Sequence, residues 1–431
     1  MKYFSLNHTS PIVSFKEAVI KGQAPDKGLY FPETLPKLSD AFIQALPTLS
    51  KEEVGMEVMR PYIGTDIPEA ELLRIVTETV NFPFPLSPIN EHIKALELFH
   101  GPTYAFKDVG ARFMSRCLGY FQQDAKKKTT ILVATSGDTG GAVANGFLGV
   151  EGVEVIILYP SGKVSPVQEL QLTTCGKNIT ALEIQGSFDD CQAMVKEAFM
   201  DADLQSVYQL TSANSINVGR WLPQQLYYFF ALQQWQEERP PVISVPSGNF
   251  GNICAGLLAH ISGLPAKHFL AACNINDTVP VYMTTSVYQP KASIATISNA
   301  MDVGNPSNFG RIMEIFGGEL ERLKTRFNSV SITDEQTKDT IRYVYEKSGY
   351  LLDPHGAVAF RALEDYQKTY PEDKGFILET AHPVKFPEII ESLLNIKIPM
   401  PANATPFNEA DKKSILLPAD YQQVKDWLLN H

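Results

Sequence analysis

No stretch of this sequence is apolar for long enough to cross a membrane, and none is expected to bind one. The start, MKYFSLNHTSP, lacks the basic segment and apolar core of a signal peptide. Cysteine is scarce: Cys117, Cys175, Cys191, Cys254 and Cys273 are odd in number and scattered, with no Cys-x-x-Cys pair. That excludes a disulfide framework and predicts reduced, mostly buried thiols in a cytoplasmic protein. No His/Cys cluster has structural-zinc spacing, so no metal is expected. Positive charge is short as well, with 37 Lys and Arg against 48 Asp and Glu and a net charge of -11. A nucleic-acid binder needs a basic footprint, so that class of partner is set aside. An anionic small molecule needs only local positive groups and stays open.

What is present is an ordinary globular composition, 44% hydrophobic and 20% charged. A chain of 431 residues exceeds one compact core, so two or three subdomains are expected. Residues 1–85 read as a mixed α/β region, with a short strand over 28–32 and helices over 51–63 and 68–80. Pro68 suits a first helical turn. Packing, not chemistry, is the expected role. From Thr129 apolar strands (TTILVAT, VEVIILYP, NITALEI, YQLTSA) alternate with helices, the last a long one through Trp221 and Tyr227. Such alternation means a parallel sheet covered on both faces, with ligands at the strands' C-terminal ends. QEERPP at 236–241 reads as a linker, after which VISVPS and FLAACNIN begin a second α/β set. The expected division is an N-terminal unit over 1–85, a large unit over 86–128 with 240–431, and a small unit over 129–239.

Five places carry candidate chemistry. In LFHGPTYAFKDVG, at 98–110, Lys107 stands where an extended segment becomes a helix. Phe113, Met114, Cys117, Leu118 and Phe121 give the helical spacing, and Asp108 is placed to cap the first turn. The positive helix end and burial beside Phe106 both disfavour an ammonium. A lysine neutral near pH 7 is a nucleophile and a base, although a surface lysine paired with Asp108 fits the same residues. Ser247-Gly248-Asn249-Phe250-Gly251-Asn252 follows a strand and opens a helix, a cup for a monophosphate or a plain βα turn. It is neither a Walker loop nor G-x-G-x-x-G. Ser136-Gly137-Asp138-Thr139-Gly140 is a second such turn, suited to a carboxylate, or capped by Thr139 or Asp138 alone. The run 211–217 leads to Arg220, an anion site or a capping box with a solvated arginine. Ser161, Lys163 and Ser165 form a weaker candidate of the same kind. His355 and His382 sit in turn-like contexts that favour structural roles, and Thr380 ends a strand.

HGPTYAFKDVGARFM, ATSGDTGGAVA, VPSGNFGNICAG and ETAHPVKF, joined by GLYFPE, NSINVGR, NAMDVGNPSN and LDPHGAVA, occur in this order. Together they resemble the threonine synthase family across nearly the whole chain. The resemblance implies fold type II, the tryptophan-synthase-β-like fold, with two parallel-sheet α/β domains plus an N-terminal α/β extension. It implies a pyridoxal 5'-phosphate (PLP) lyase that turns O-phospho-L-homoserine and water into L-threonine and phosphate, as a monomer or homodimer. Lys107 would hold the cofactor and move protons at Cα and Cβ. Gly248, Asn249, Phe250, Gly251 and Asn252 would hold its phosphate, and Thr380 would face a neutral ring nitrogen. Ser136, Asp138 and Thr139 would meet the substrate carboxylate and the cofactor hydroxyl, which an aspartate repels unless a proton is shared. Thr103 would join the substrate-binding residues, while Asn214, Ser215 and Arg220 would receive the departing phosphate. Threonine dehydratase, cysteine synthase and a non-catalytic phosphate-binding relative are the alternatives.

Overall fold

The computed structural model of the chain describes residues 1–123, 127–401 and 412–431. β1 (Lys2–Ser5), β2 (Val13–Ser14) and β3 (Tyr30–Pro32) make a small antiparallel sheet in the order β2-β1-β3. Helices Phe15–Lys21 and Lys51–Ile63 each start at a capping box, Ser14 with Glu17 and Ser50 with Glu53. Pro68, expected in the first turn of the next helix, stands just outside Glu69–Thr79 in an extended conformation.

β4 (Leu86–Pro88) and β5 (Ile93–Glu97) begin a second sheet, which the chain then leaves. A third sheet takes β6 (Thr129–Ala134), β7 (Val153–Pro160), β8 (Ile179–Gln185) and β9 (Gln209–Thr211). The second sheet resumes with β10 (Val242–Pro246), β11 (His268–Cys273), β12 (Phe327–Ser331) and β13 (Gly375–Glu379). β14 (Ile415–Pro418) returns to the third. The second sheet runs β12-β11-β10-β13-β5-β4, parallel except at β4, and the third runs β14-β8-β7-β6-β9, parallel throughout. Every residue of β6 and of β10 is buried, which is why both read as unbroken apolar runs.

Two expectations change. The tail does not belong with the unit over 240–401. Ile415 pairs with Leu182, and Val424 and Leu428 of helix Tyr421–Asn430 pack on Cys191 and Met194, so the tail completes the smaller sheet. The long helix after β9 is broken in two, Val218–Trp221 and Gln225–Gln233, because Pro223 sits in a tight turn between them.

The topology fixes where a ligand can lie. From β10 the chain proceeds outward to β11 and β12, whereas β13 and β5 lie on the other side. A parallel sheet whose order reverses leaves a crevice beyond its strand ends. The segments after β5, β10 and β13 all open there, carrying Lys107, the 247–252 turn and Thr380. The third sheet faces them with the turns after β6 and β9.

Candidate active site

Lys107 is the first residue of helix Lys107–Gln122, with Phe106 at the cap position. Backbone pairing sets its place. The Phe106 amide donates to the Thr380 carbonyl at 2.8 Å, the His382 amide to Tyr104 at 3.0 Å, and Ala105 bridges Ala381. Tyr104 makes the bend with a left-handed φ of 57°. Asp108 does not cap the helix. Its carboxylate accepts the Thr103 amide at 2.9 Å and the Thr103 hydroxyl at 2.6 Å. Burial pushes Lys107 down to about 8, Asp138 opposes, and the charges of Arg220 and Lys385 push it further down. Its lowered basicity therefore has the expected direction and a charge contribution that no local pattern announced.

The 247–252 turn is fastened on every side. Phe250, at φ 59°, turns the chain into helix Gly251–Ile261. Asn249 accepts from the Ser307 amide (2.7 Å) and hydroxyl (2.8 Å), and donates to the Ser215 hydroxyl at 2.9 Å. Asn308 donates to that same hydroxyl at 3.0 Å and to the Asn249 carbonyl at 3.1 Å. At Gly248 a Cβ would stand 2.5 Å from the Met301 Cα, so only glycine allows this approach. Tyr228 donates to the carbonyl and side-chain oxygens of Asn252, at 2.9 Å each. The Asn252 side-chain nitrogen is buried and has no protein partner. A buried donor left over in a glycine turn at a helix start is what an anionic oxygen would satisfy.

Across the cleft, the Thr135 hydroxyl accepts the amides of Gly137 (3.0 Å) and Gly140 (2.8 Å). Gly137, at φ 137°, occupies the cap position, so neither Asp138 nor Thr139 caps this helix. Ser136 and Thr139 line the cleft; Asp138 lies behind it. Its carboxylate takes Lys385 at 2.5 Å and Gln168 at 2.8 Å. Burial alone would raise the Asp138 pKa, but Lys385 and then Lys107 hold it well below the usual range. Asp138 thus has Lys385 as its counter-ion and does not itself line the cleft.

Asn214, Ser215 and Arg220 all reach the same cleft, which has a volume of about 1520 Å³. Arg220 donates to the Ala213 carbonyl at 2.6 Å, while its Nε is buried without a partner. Burial pushes Arg220 down to about 10, still cationic at pH 7, and no carboxylate pairs with it among the described residues. Ser215 is shared with the 247–252 turn, so the two turns abut.

Other expectations are corrected. Thr103 does not line the cleft; its hydroxyl is spent on Asp108, and its carbonyl accepts Lys385 at 3.0 Å and Gln171 at 3.2 Å. Ser161 donates to Glu183 at 2.6 Å, Ser165 caps helix Pro166–Thr173 and Lys163 is exposed, so this trio lies outside the site. The N-terminal region does more than pack, because Asn7, Lys21 and Lys27 line the mouth of the cleft. Both histidines are tied to neighbouring groups, although His355 also lines the cleft. His355 is held by Asp353 at 2.5 Å, and His382, pushed down to about 4 by burial and His100, accepts the Val384 amide at 3.1 Å.

Two residues had no signal that sequence reasoning used. Lys385 is the penultimate residue of the ETAHPVKF stretch, where nothing in its spacing marks it. Arg311 is fully buried and stacks on Trp221 at 4.3 Å. It donates to the carbonyls of Tyr30 (3.0 Å), Ser215 (2.9 Å) and Ile216 (2.6 Å) and to Asn308 (2.8 Å). A lone arginine inside an apolar helix gives no hint that it ties the first sheet to the 214–217 turn.

Comparison with known proteins agrees with this geometry. The profile described as pyridoxal-phosphate dependent enzyme matches residues 85–378. Profiles for the threonine synthase N terminus and C-terminal region match residues 2–80 and 356–428. A threonine synthase from Haemophilus influenzae is 44% identical over 434 residues, covering 100% of both chains. The crystal structure of threonine synthase from Escherichia coli superposes with a TM-score of 0.93 at 43% identity, covering 100% of both chains. A PLP-bound threonine synthase from Brucella melitensis gives 0.92 at 34% identity, covering 100% of this chain and 99% of that one. A threonine deaminase from Solanum lycopersicum, at 12% identity and TM-score 0.57 over 85% of this chain and 97% of that one, shares the fold alone.

Proposed function

The chain belongs to the threonine synthase family of pyridoxal-phosphate-dependent enzymes, and we infer from that premise that it converts O-phospho-L-homoserine and water to L-threonine and phosphate. The observation that carries this reading is one cleft holding a lysine of lowered basicity between two sets of unspent donors. The residues fit the cofactor: a glycine turn with a free buried amide at one end and a strand-end hydroxyl, Thr380, at the other. Bound there, PLP supplies an electron sink for charge that develops on the substrate carbons.

The geometry supports the following reading of the protein's own part. With a pKa of about 8, roughly a tenth of Lys107 is free amine at pH 7, against about one part in three thousand at an ordinary lysine value. Lys107 accepts and returns protons at Cα and Cβ. Backbone amides of 248–251 and the Asn252 amide hold the cofactor phosphate, with Asn249 and Phe250 shaping the turn. Thr380 offers a neutral partner to the ring nitrogen. Ser136 and Thr139 orient the substrate carboxylate, and Asp138, tied to Lys385, secures their turn. Asn214, Ser215 and Arg220 receive the phosphate leaving Cγ, where charge grows as the bond breaks. Thr103 acts from behind by fixing Asp108 and Lys385. In this reading the enzyme is cytoplasmic, acts as a monomer or homodimer, and works between a large unit built on the second sheet and a small one built on the third.

Incubation of the purified protein with O-phospho-L-homoserine should release phosphate and threonine in equal amounts. Release of ammonia from free threonine, with no turnover of the phosphorylated substrate, would assign it to the dehydratases instead.

A further inference from the structure

Behind the cleft lies a pair of acids that the reaction above does not use. Glu379, the last residue of β13, and Asp353, which caps helix Pro354–Thr369, are both fully buried. Each has one oxygen with a clear partner. Glu379 Oε1 accepts the Asp353 amide at 2.6 Å, and Asp353 Oδ1 accepts the amide of His355 at 2.7 Å and its Nδ1 at 2.5 Å. The other two oxygens, Glu379 Oε2 and Asp353 Oδ2, are both buried with no donor. The Asp353 amide on Glu379 Oε1 brings the two acids together in the same buried space. The Glu379 carboxyl fills the space left by Gly356, where a Cβ would lie 1.5 Å from Oε2.

Two ionised carboxylates in contact, away from water, would repel and leave both lone oxygens unsatisfied. One proton between them removes both defects. We propose that Glu379 is a protonated positioning residue whose carboxyl donates to Asp353 Oδ2, so that Asp353 stays an acceptor for His355. Burial and then the Asp353 charge raise the Glu379 pKa well above the usual range, which agrees. The other titratable groups facing the pair favour the same state. Glu97 of β5 is engaged by His100 at 2.7 Å and by Tyr350 at 3.0 Å, and adds negative charge. Lys385 is committed to Asp138, and His382 is neutral. Asp302 is taken up by Thr296 and Asn274, from which its carboxylate accepts.

The consequence reaches the cleft. With Nδ1–H given to Asp353, His355 presents a bare Nε2, which accepts the Ala300 amide at 3.2 Å. That bond pins the 299–301 turn, whose backbone lies against Gly248. The chain Glu379–Asp353–His355–Ala300 thus supports the phosphate cup from behind, while the residue after Glu379 is Thr380. This role rests on the cofactor placement given above; the proton itself does not.

Infrared spectroscopy of the purified protein at neutral pH should show a protonated carboxyl band that Glu379→Gln removes. In that variant the amide N–H replaces the O–H, so PLP affinity should stay within about twofold, and nitrogen NMR should still find the Nδ1–H form of His355. Glu379→Leu, similar in size but with no donor, should weaken PLP binding by about tenfold. A role in packing alone predicts the reverse, with Leu tolerated at least as well as Gln. The proposal is overturned if the band is missing, or if Gln damages binding as much as Leu. If Leu fails to fold, the band and the Gln variant decide. A wild-type protein that shows the band but binds no PLP would instead overturn the functional reading.

Discussion

The two anion sites of the cleft touch at Ser215 and are built on opposite plans. The 247–252 turn holds its place by neutral contacts: Asn249, Asn252, Asn308, Ser307, Tyr228 and a glycine that lets two backbones meet. The 214–220 turn instead carries a buried guanidinium, Arg220, pushed down to about 10 by burial, with an unpartnered Nε and no carboxylate partner among the described residues, and Arg311 holds the turn from behind through the Ser215 and Ile216 carbonyls. A resident cofactor has time to find one exact geometry, so directed neutral donors suffice. A leaving phosphate gains charge during the reaction and must be met where that charge develops, which favours a cation already in place. On the proposed assignment, the difference means that a phosphate would be handled by shape where it stays and by charge where it departs.

The residue between the sites should show the largest effect. Lys107→Ala should reduce kcat by at least about three orders of magnitude, since no other group replaces a positioned base and nucleophile. The absorption of the bound cofactor should change as well. Retention of both would mean that another lysine serves the cleft.

The next test separates the plans. Arg220→Met should lower kcat/KM for O-phospho-L-homoserine by about a hundredfold, the scale of one lost transition-state donor, with PLP affinity kept. Arg220→Lys should recover only part, because an ammonium cannot grip two oxygens at once. The mirror experiment is Gly248→Ala. Its Cβ meets backbone at 2.5 Å, so the cup must shift, and PLP affinity should fall about tenfold, within the usual cost of overpacking. At saturating PLP its KM for substrate should change little. If Arg220→Met loses cofactor, or Gly248→Ala loses substrate, the division of labour is drawn in the wrong place.

How much of this could be read in the sequence follows the range of the forces. Lys107, the two glycine turns and Thr380 were legible as places, each at or just after a strand end, while the roles proposed for them came only with the family resemblance. Buried parallel strands announce themselves as apolar runs, which placed β6 to β8 and β10. β14 was missed because its partner, β8, lies more than two hundred residues away and none of its own residues is fully buried. Lys385 and Arg311 were missed for the same reason. Their partners, Asp138 in one case and Tyr30, Ser215 and Ile216 in the other, are distant in sequence, and a single charged residue carries no spacing. Thr103 misled because a threonine near a reactive lysine looks the same whether its hydroxyl faces substrate or, as here, a carboxylate.

The smallest expected effect tests whether the two sites are electrically independent. Arg220 is one of the charges that lower the Lys107 pKa, after burial, which is the larger cause. Removing it leaves burial and Lys385 in place, so the Lys107 value should rise only partway from about 8 toward the ordinary lysine range. The sign is fixed: a higher pKa means less free amine at any pH below the midpoint. In the cofactor-free protein, PLP uptake through Lys107 should climb with pH and level off above about 8. In Arg220→Met the same curve should move to higher pH by a few tenths of a unit to about one unit. Uptake at pH 7 should then slow by about two- to tenfold, and the two proteins should converge well above both midpoints, where the amine is free in each. The measurement is the rate at which the bound-cofactor absorption grows at each pH. A displaced curve with an unchanged plateau means that Arg220 reaches the cofactor lysine by its charge and serves both ends of the reaction. Coincident curves would confine Arg220 to the phosphate it receives, and a lowered plateau would mean that its loss has disturbed the cup itself.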